Sequence, residues 1–301
     1  MGKTKKTLLV VVGPTAVGKT KVAVELAKTF SCEIISTDSR QFYKEMDIGT
    51  AKPTTEEMQG IPHHFINNLS IHDSYSAGQF ELEALTKLEE LFSKSDFAIA
   101  VGGSGLFVNA LCFGLDDLPP VSPELRARLN QEWEEKGIEY IQRKVQDIDP
   151  AYFSGVDINN KHRMLRALEV WETSGKKISD LQKNNTAKRP FHLVFIGLNT
   201  ERSNLYERIN RRVDLMVKNG LLEEVEKLRP HQNLGPMKTV GYQEFYENES
   251  SSQKAIELIK RNSRRYAKRQ ITWFKKTPQI EWFEAGNSDK IIAWVNEKTT
   301  N

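Results

Sequence analysis

The sequence contains very few cysteines and no long hydrophobic run. Its 301 residues include two cysteines, Cys32 and Cys112, and neither has a partner at the spacing of a disulfide framework or a zinc site. No apolar run approaches the length that a helix needs to cross a bilayer. Internal repeats and low-complexity tracts are absent as well. These absences exclude a disulfide-rich scaffold, and we expect a chain of the reducing cytoplasm without a membrane partner.

The charge is close to balanced overall but is unevenly distributed. The formal net charge is only +3, with 39% hydrophobic and 28% charged residues, as in a globular protein. Residues 254–276, however, contain nine Lys or Arg residues against the single acid Glu257. Aromatic residues are interleaved with these bases, a combination that a phosphate backbone attracts. A solvated helix face is the alternative, but the excess is too one-sided for that, and nucleic acid is favoured.

A complete phosphate-loop motif lies near the N-terminus. Residues 13–20, GPTAVGKT, match G-x-x-x-x-G-K-[ST] at every fixed position. The loop follows the apolar run 8–12 and precedes an amphipathic segment over 22–30, which is the strand–loop–helix context that such a loop requires. Its backbone N–H groups can surround an anion, while Lys19 adds a charge and the Thr20 hydroxyl can hold Mg²⁺. A diphosphate or triphosphate is therefore predicted to bind to Gly13, Pro14, Thr15, Ala16, Val17, Gly18, Lys19 and Thr20.

The pattern of apolar segments predicts an α/β fold with a helical insertion. Short runs rich in Val, Ile or Phe, separated by helical patterns, are typical of buried parallel strands. These runs are 8–12, 32–36, 97–101 and 191–198. With the phosphate loop they predict a doubly wound parallel sheet of the P-loop NTPase type, formed by residues 1–120 and 191–301. Residues 121–190 contain charged, amphipathic helix patterns without a strand, and we expect them to form a separate helical insertion.

Three charged residues are candidates for the chemistry beside the loop. Asp38 ends the second strand, where its carboxylate could bind Mg²⁺ or act as a general base, or could instead cap the next helix. Arg208 and Arg212 lie four residues apart, so a helix presents both on one face, where they could bind a diphosphate. Pairing of these arginines with Glu207 or Asp214 is equally compatible with the spacing. The sequence leaves these alternatives open.

The end of the third strand carries glycines where many nucleotide hydrolases carry an aspartate. Residues 102–105 read Gly-Gly-Ser-Gly, and glycines at a strand end admit the close approach of a ligand. The missing aspartate argues against a nucleotide-hydrolysing motor. His63 and His64 are adjacent and point in opposite directions in an extended segment, so we expect structural hydrogen bonds from them rather than a metal site.

Taken together, the motifs resemble the tRNA dimethylallyltransferases, also called tRNA isopentenyltransferases, in their bacterial form without a C-terminal zinc finger. The resemblance extends over nearly the whole chain, and its most specific segment is DSRQFYKEMDIGTAKP at 38–53. Ser104, Phe107 and Val240 depart from the residues more common in the family, Thr, Tyr and Ile. The other matching segments are GPTAVGKT (13–20), GIPHHFIN (60–67), GGSGLFVNAL (102–111), LPPVSPELRARL (118–129), NKHRMLRALEV (160–170), LYERINRRVDLMVKNGLLEEV (205–225), KTVGYQE (238–244) and RRYAKRQITWF (264–274).

This resemblance implies prenyl transfer from dimethylallyl diphosphate to N6 of adenosine 37 in tRNA, with diphosphate as the leaving group. Lys19, Thr20 with Mg²⁺, and Arg208 or Arg212 would hold the diphosphate, while Asp38 would accept a proton or hydrogen bond from the adenine amine. A monomer is expected, with the insertion gripping the anticodon stem-loop. The segments that align with the tRNA-contacting parts of the family contain Asp38, Ser39, Arg40, Gln41, Ser104, Arg126, His162, Arg163, Met164, Leu165, Arg166, Lys238, Thr239, Val240, Gly241, Tyr242 and Gln243.

Three other functions compete with this interpretation. A small-molecule kinase would share the phosphate loop, but it leaves the insertion and the basic segment without a purpose. An adenylate isopentenyltransferase, which prenylates free AMP or ATP, has little need of an anticodon-binding arm. A non-catalytic RNA-binding protein with a relic loop is disfavoured because Lys19, Thr20 and Asp38 are all intact.

Overall fold

In a computed structural model the chain forms two compact units. The structure describes residues 5–182, 187–248 and 251–300. One unit comprises Met1–Cys112 and Arg189–Asn301, and the other is Phe113–Lys188. The insertion expected at 121–190 thus has slightly different bounds in the structure, and its residues 183–186 lie outside the described part of the chain.

The first unit contains the sheet and most of the helices. Its strands are β1 (Thr7–Val12), β2 (Ile34–Ser36), β3 (His63–His64), β4 (Phe97–Gly102), β5 (His192–Asn199) and β6 (Glu281–Glu284). Its helices before the second unit are α1 (Lys19–Thr29), α2 (Thr55–Met58), α3 (Ala77–Lys94) and α4 (Gly105–Phe113), whose last residue belongs to the second unit. The second unit consists of α5 (Pro123–Ile148), α6 (Pro150–Gly155), α7 (Lys161–Ser174) and α8 (Ile178–Leu181). The first unit continues with α9 (Arg202–Lys218), α10 (Leu221–Leu228), α11 (Gln243–Glu247), α12 (Ser252–Phe274) and α13 (Ser288–Thr300).

The described strands form one parallel sheet in the order β3-β2-β4-β1-β5-β6. β1 lies between β4 and β5, and its six residues are fully buried or nearly so because helices cover both faces of a sheet of this kind. The four predicted strands and the α/β parallel fold are confirmed. β3 and β6 were not predicted, because a two-residue strand and the sequence EWFE, which has one buried residue, lack a buried apolar run.

The topology places the phosphate loop at the carboxyl end of a central strand. The loop joins β1 to α1, and Gly18 at the start of α1 has φ +102°, a conformation that side-chain-bearing residues rarely adopt. β2 and β4, which are neighbours in the sheet, end at the same edge. The residues that follow these strands therefore meet beside the loop, at the edge where ligands bind in folds of this type.

The second unit is helical and has its own apolar core. Fully buried residues of α5 and α7 form this core, among them Leu129, Ile141, Val145, Met164 and Leu168. α5 is interrupted at Gly137, where the backbone is not helical and has φ 77°, a conformation that favours glycine. The apolar positions of the amphipathic sequence patterns are thus the positions that form the core of this helical unit.

The described residues contain neither a disulfide nor a helix that could span a membrane. Cys32 and Cys112 are free and buried, and burial raises the pKa of each thiol to about 12. Such thiols stay protonated and unreactive at neutral pH. Within the described ranges, no helix combines the length and the apolar character that crossing a membrane requires.

Candidate active site at the carboxyl edge of the sheet

The Lys19 side chain lies within the phosphate loop. Its Nζ donates hydrogen bonds to the backbone oxygens of Gly13 at 3.1 Å and Pro14 at 2.9 Å. Desolvation by burial lowers the pKa of Lys19 to about 8, an effect opposed by the Asp38 carboxylate and reinforced by the Arg212 guanidinium. Lys19 is therefore a cation whose charge an incoming anion would stabilise.

α9 brings two arginines to the loop. Arg212 donates to the Thr15 hydroxyl, while the Arg208 guanidinium lies against Gly18, where a Cβ would be 3.2 Å from Nη2. Burial lowers the pKa of Arg212, whereas the nearby carboxylates of Asp38 and Glu57 act to raise it. The Arg212 Nε is buried without a hydrogen-bond partner among the described residues. An unpaired buried donor beside an anion site is a group that a phosphate oxygen would satisfy.

The carboxylates that could have neutralised these arginines are engaged elsewhere. Glu207 accepts from Arg211 at 3.2 Å, and Asp214 lies 2.7 Å from the Lys260 ammonium. Among the described residues, neither Arg208 nor Arg212 forms an ion pair with either carboxylate. Of the two alternatives that the spacing left open, the structure supports the one in which both arginines face the phosphate loop.

Asp38 lies in a turn after β2 and does not cap a helix. Its Oδ1 accepts from the backbone N–H of Arg40 at 3.1 Å, and the chain then continues through turns to a short 3₁₀ helix at Ile48–Thr50. The helix-capping alternative is therefore wrong. Asp38 is close enough to Lys19, Arg212 and Tyr266 to influence the pKa of each of them.

Two adjoining cavities of the first unit meet at Asp38. The loop cavity has a volume of about 450 Å³ and is lined by Lys19, Thr20 and Arg208. The turn cavity, of about 520 Å³, lies beside the glycine-containing turn after β4 and the inner face of α12. Among the described residues, those that line both cavities are Thr15, Asp38, Thr50, Arg212 and Met216.

The glycines after β4 make room for protein side chains. A Cβ on Gly103 would lie 2.1 Å from Gln270 Nε2, and one on Gly105 would lie 2.2 Å from the Trp273 indole nitrogen. The space that a Cβ would occupy at these glycines is thus filled by α12, but Gly103 and Gly105 still line the turn cavity, so the expectation that this turn admits a ligand stays a prediction. Ser104 accepts a hydrogen bond from the Ser39 backbone N–H at 3.1 Å, and this contact joins the turns after β2 and β4.

Gln270, for which no sequence motif predicts a role, connects α12 to both turns of the site. Its Oε1 accepts from the Thr15 N–H at 2.8 Å, and its Nε2 donates to the Gly103 oxygen at 2.9 Å. Gln270 is 6% exposed. A buried amide that satisfies two backbone groups in this way holds the phosphate loop at a defined distance from the turn after β4.

A second residue whose role was not predicted, Glu224, holds residues 47–49 beside the loop cavity. Its carboxylate accepts backbone hydrogen bonds from Asp47 at 3.1 Å, Ile48 at 2.8 Å and Gly49 at 2.9 Å, and a fourth from the Tyr242 hydroxyl at 2.6 Å. This arrangement orients the 3₁₀ helix that carries Thr50 to the junction of the cavities. No local pattern signals it, because Glu224 lies 175 residues or more from its backbone partners.

The predicted tRNA-binding residues of the first unit occupy different places. Those that line the turn cavity are Asp38, Ser39, Arg40, Ser104, Thr239, Val240 and Gly241. Gln41 lines the loop cavity, and Lys238 and Gln243 line a smaller cavity of about 270 Å³. Tyr242 is instead a fully buried core residue whose hydroxyl is used by Glu224, so its side chain does not face a ligand.

In the helical unit, the predicted residues divide into exposed and structural groups. Arg126 and Arg166 both bind the carboxylate of the buried Glu169, at 3.1 and 3.2 Å. Met164 and Leu165 belong to the apolar core, so their side chains do not reach solvent. His162 and Arg163 are exposed. Arg126 is also exposed despite its ion pair, so Arg126, His162 and Arg163 have side chains open to a partner.

The basic segment 254–276 forms most of α12, and its charges are not equivalent. Lys260 is paired with Asp214 and Glu257, and Arg264 donates to Asn210 at 2.6 Å. The side chains that remain exposed are Lys254, Arg261, Arg265, Lys268, Arg269, Lys275 and Lys276. The opposite face, with Ala267 and Phe274, is buried. α12 therefore presents bases outward while its inner face contacts the site.

His63 and His64 form the structural hydrogen bonds that were predicted. The His63 Nδ1 lies 2.8 Å from the Ile61 oxygen, and the His64 Nε2 lies 2.6 Å from a Glu33 carboxylate oxygen. Burial lowers the pKa of His63. The contact of His64 with Glu33, which directly precedes β2, helps to hold the edge strand β3 beside β2.

The donor set at the loop is suited to Mg²⁺ that arrives with a phosphate ligand. In the described part of the chain, no group of three or more His, Cys, Asp or Glu residues could hold a metal by itself. Thr20 and Asp38 nevertheless line the same loop cavity and offer a hydroxyl and a carboxylate. Mg²⁺ is usually coordinated by one or two such protein oxygens and completes its shell with phosphate oxygens and water. Thr20 and Asp38 are therefore suitable ligands for Mg²⁺.

The fold and the site together define a phosphate-loop α/β protein with a two-part cavity, and comparisons identify its family. Residues 41–277 match the family model described as IPP transferase. The tRNA dimethylallyltransferase of Christiangramia forsetii is 48% identical over 97% of this chain and 98% of its own length, and that of Flavobacterium psychrophilum is 46% identical over 97% and 98%. The chain belongs to the IPP transferase family.

Solved structures agree with this assignment. The tRNA isopentenylpyrophosphate transferase of Bacillus halodurans matches with a TM-score of 0.73 and 38% identity over 98% of this chain and 97% of that one. A eukaryotic dimethylallyltransferase, captured acting on tRNA, matches with a TM-score of 0.84 and 27% identity over 98% of this chain and 80% of its own. The predicted P-loop NTPase-like fold is confirmed by these neighbours.

Proposed function

We propose that this chain transfers the dimethylallyl group of dimethylallyl diphosphate to N6 of adenosine 37 in tRNA and releases diphosphate. The family assignment and the names of the relatives support this function. The single observation that carries it is the meeting of the loop cavity and the turn cavity at Asp38 and Arg212. Two substrates that enter from different cavities would react where those cavities join.

The donor would bind with its diphosphate in the loop cavity. Lys19, Arg208 and Arg212 supply the positive charge, and the N–H groups at the start of α1 add donors to the phosphate oxygens. As the C1–O bond breaks, its electron pair leaves with the diphosphate, and these cations stabilise the added negative charge. Mg²⁺, when bound to the diphosphate with Thr20, would neutralise further charge on the leaving group.

The acceptor would enter through the turn cavity. The adenine amine is a weak nucleophile, so its N6 must be held in line with C1 at the junction. As the N6–C1 bond forms, the amine becomes positively charged and loses a proton, which Asp38 accepts. Asp38 lines both cavities, so its carboxylate lies where an amine held in the turn cavity would meet C1 of a donor held in the loop cavity.

The turn cavity has the character of a nucleobase site. Phe107, Tyr266 and Trp273 line it, and Trp273 is 36% exposed. Adenosine 37 lies within the stacked anticodon loop, so its base must leave the stack to reach a buried reaction centre. Aromatic side chains replace part of the stacking that the base loses.

α12 would attract the tRNA backbone. Its exposed bases include Arg261, Arg265 and Lys268, whereas residues 113–188 contain nearly equal numbers of basic and acidic side chains. The electrostatic contribution to binding therefore comes mainly from α12. His162 and Arg163 of the helical unit would contact the anticodon stem-loop more locally, consistent with RNA recognition by shape.

The function is tested with purified protein, dimethylallyl diphosphate, Mg²⁺ and unmodified tRNA. Mass spectrometry should detect N6-isopentenyladenosine in the nucleoside hydrolysate of the tRNA and should locate it at position 37 in ribonuclease fragments, and Lys19→Ala should abolish most of it. AMP and ATP are offered in parallel reactions. Prenylation of the free nucleotides without prenylation of tRNA would instead identify an adenylate isopentenyltransferase, and formation of ADP with a small acceptor would identify a kinase.

A further inference from the structure

Among the described residues that line both cavities, Met216 is the only one with an apolar side chain. Thr15, Asp38, Thr50 and Arg212 offer hydroxyl, carboxylate and guanidinium groups. Met216 follows Arg212 by one turn of α9, so both side chains emerge on the same face. It is 8% exposed, and the surface that remains open faces the cavities.

The rest of the Met216 side chain is held by an apolar cluster. This cluster packs α9, α10 and α12 around the segment that follows β2, and it includes Val213, Met216, Leu221 and Ile259. Met216 thus lies at the boundary between a packed core and the junction of the cavities. A methionine at such a boundary can adapt its shape to an apolar ligand because its side chain is unbranched and polarisable.

A role for Met216 toward the donor rests on the proposed function. The charges at Lys19, Arg208 and Arg212 hold the diphosphate in the loop cavity, so C1 of the donor lies near the junction. The hydrocarbon attached to C1 is therefore removed from water at the junction. Its burial stabilises the complex only if the protein surface that it contacts there is apolar. At the junction, Met216 supplies this surface.

We propose that the dimethylallyl group packs against Met216 and that this side chain limits the length of the prenyl chain that the enzyme accepts. Val213, Val240 and Ile259 line the turn cavity beyond the junction. A longer chain that passes Met216 would therefore meet further apolar surface. With Met216 in place, the five-carbon group fills the space beside it, and additional carbons collide with its side chain.

The test compares dimethylallyl diphosphate with geranyl diphosphate as donors to an anticodon stem-loop. Shortening the side chain in Met216→Ala should raise the ratio of kcat/KM for geranyl over dimethylallyl diphosphate by about tenfold or more, the scale on which apolar pockets discriminate chain length. Met216→Leu keeps the volume and should leave the ratio within about threefold of wild type. An unchanged ratio in Met216→Ala would overturn the proposal.

Binding measurements separate this role from a structural one. Met216→Ala should weaken dimethylallyl diphosphate binding about tenfold while pyrophosphate affinity is unchanged, because only the hydrocarbon contacts Met216. Equal weakening of both ligands would mean that Met216 merely supports the fold, and would overturn the proposal. Met216→Val, a smaller truncation, should change both readouts in the same direction if Met216→Ala does not fold. If wild-type protein transfers no dimethylallyl group at all, the proposed function itself fails.

Discussion

The Gln270 side chain accepts a hydrogen bond from the Thr15 backbone N–H at 2.8 Å, although 255 residues separate the two. Thr15 is held on its other side by Arg212, which donates to its hydroxyl. The phosphate loop is therefore fixed from α12 and from α9 at the same residue. Because α12 also carries the exposed bases, the helix proposed to attract RNA is also the helix that positions the loop.

This contact predicts the effect of changing Gln270. Gln270→Glu removes the Nε2 donor and places a carboxylate oxygen against the Gly103 oxygen, which leaves a buried acceptor without its partner. We expect pyrophosphate affinity to fall by roughly tenfold to 100-fold, measured by calorimetry. Thr272→Ala is the matched control, since Thr272 is exposed on the same helix. Wild-type affinity in Gln270→Glu would contradict the positioning role.

The proposed proton acceptor is tested by Asp38→Asn. The amide keeps the shape of the side chain and can still accept from the Arg40 N–H, but it cannot take a proton. The single-turnover rate should fall by roughly 10²–10⁴-fold, whereas binding of dimethylallyl diphosphate should persist. A rate within a few-fold of wild type would remove Asp38 from the chemistry and leave it with a role in the turn.

The pKa of Lys19 predicts how diphosphate binding depends on pH. In the free protein this pKa is lowered to about 8, and a bound anion would raise it, so the ammonium form binds more tightly. As pH rises through about 8, free Lys19 loses its charge, binding must take up a proton, and pyrophosphate affinity falls. Lys19→Arg keeps its charge over this range and is the control for titration of pyrophosphate itself. The prediction is contradicted if wild type and Lys19→Arg have the same pH dependence between 7 and about 9.5.

The arginines of α9 should affect the donor and not the RNA. Arg212→Ala and Arg208→Ala remove charge from the loop cavity, so pyrophosphate affinity should fall by roughly tenfold or more in each. Arg211 lies on the same helix but is exposed and paired with Glu207, and Arg211→Ala should leave this affinity unchanged. Filter binding of tRNA should be nearly constant for all three variants. A loss of tRNA affinity in Arg208→Ala or Arg212→Ala would assign those residues to the RNA surface.

The exposed bases of α12 should determine the salt dependence of tRNA binding. Each phosphate contact that is lost should flatten the slope of log affinity against log salt by roughly 0.7–0.9. Arg265 and Lys268 are exposed, and the double change to Ala should reduce this slope and raise the KM for tRNA while saturating turnover is kept. Lys260→Ala removes a charge that is already paired with Asp214 and Glu257, so its slope should stay near wild type. Full salt dependence in the double variant would mean that α12 is only a solvated face.

The local pattern of the sequence was enough to predict the strands that are buried and the position of the phosphate loop. β1, β4 and β5 could be predicted because each contains a continuous apolar run that must be covered on both sides. The loop could be predicted because glycines, a lysine and a threonine at fixed spacing carry the whole motif within eight residues. The helical unit followed from amphipathic periodicity, which a helix expresses along its own length.

Only the tertiary structure decided which distant side chains complete the site. Gln270 meets Thr15, Glu224 meets the N–H groups of 47–49, and Met216 reaches the junction of the cavities. The same is true of the choice between the possible partners of Arg208 and Arg212. A glutamine or a glutamate on an amphipathic helix has the same local pattern whether it faces water or a buried loop. Its role depends on how helices pack on the sheet, and that packing is a property of contacts between segments far apart in the chain.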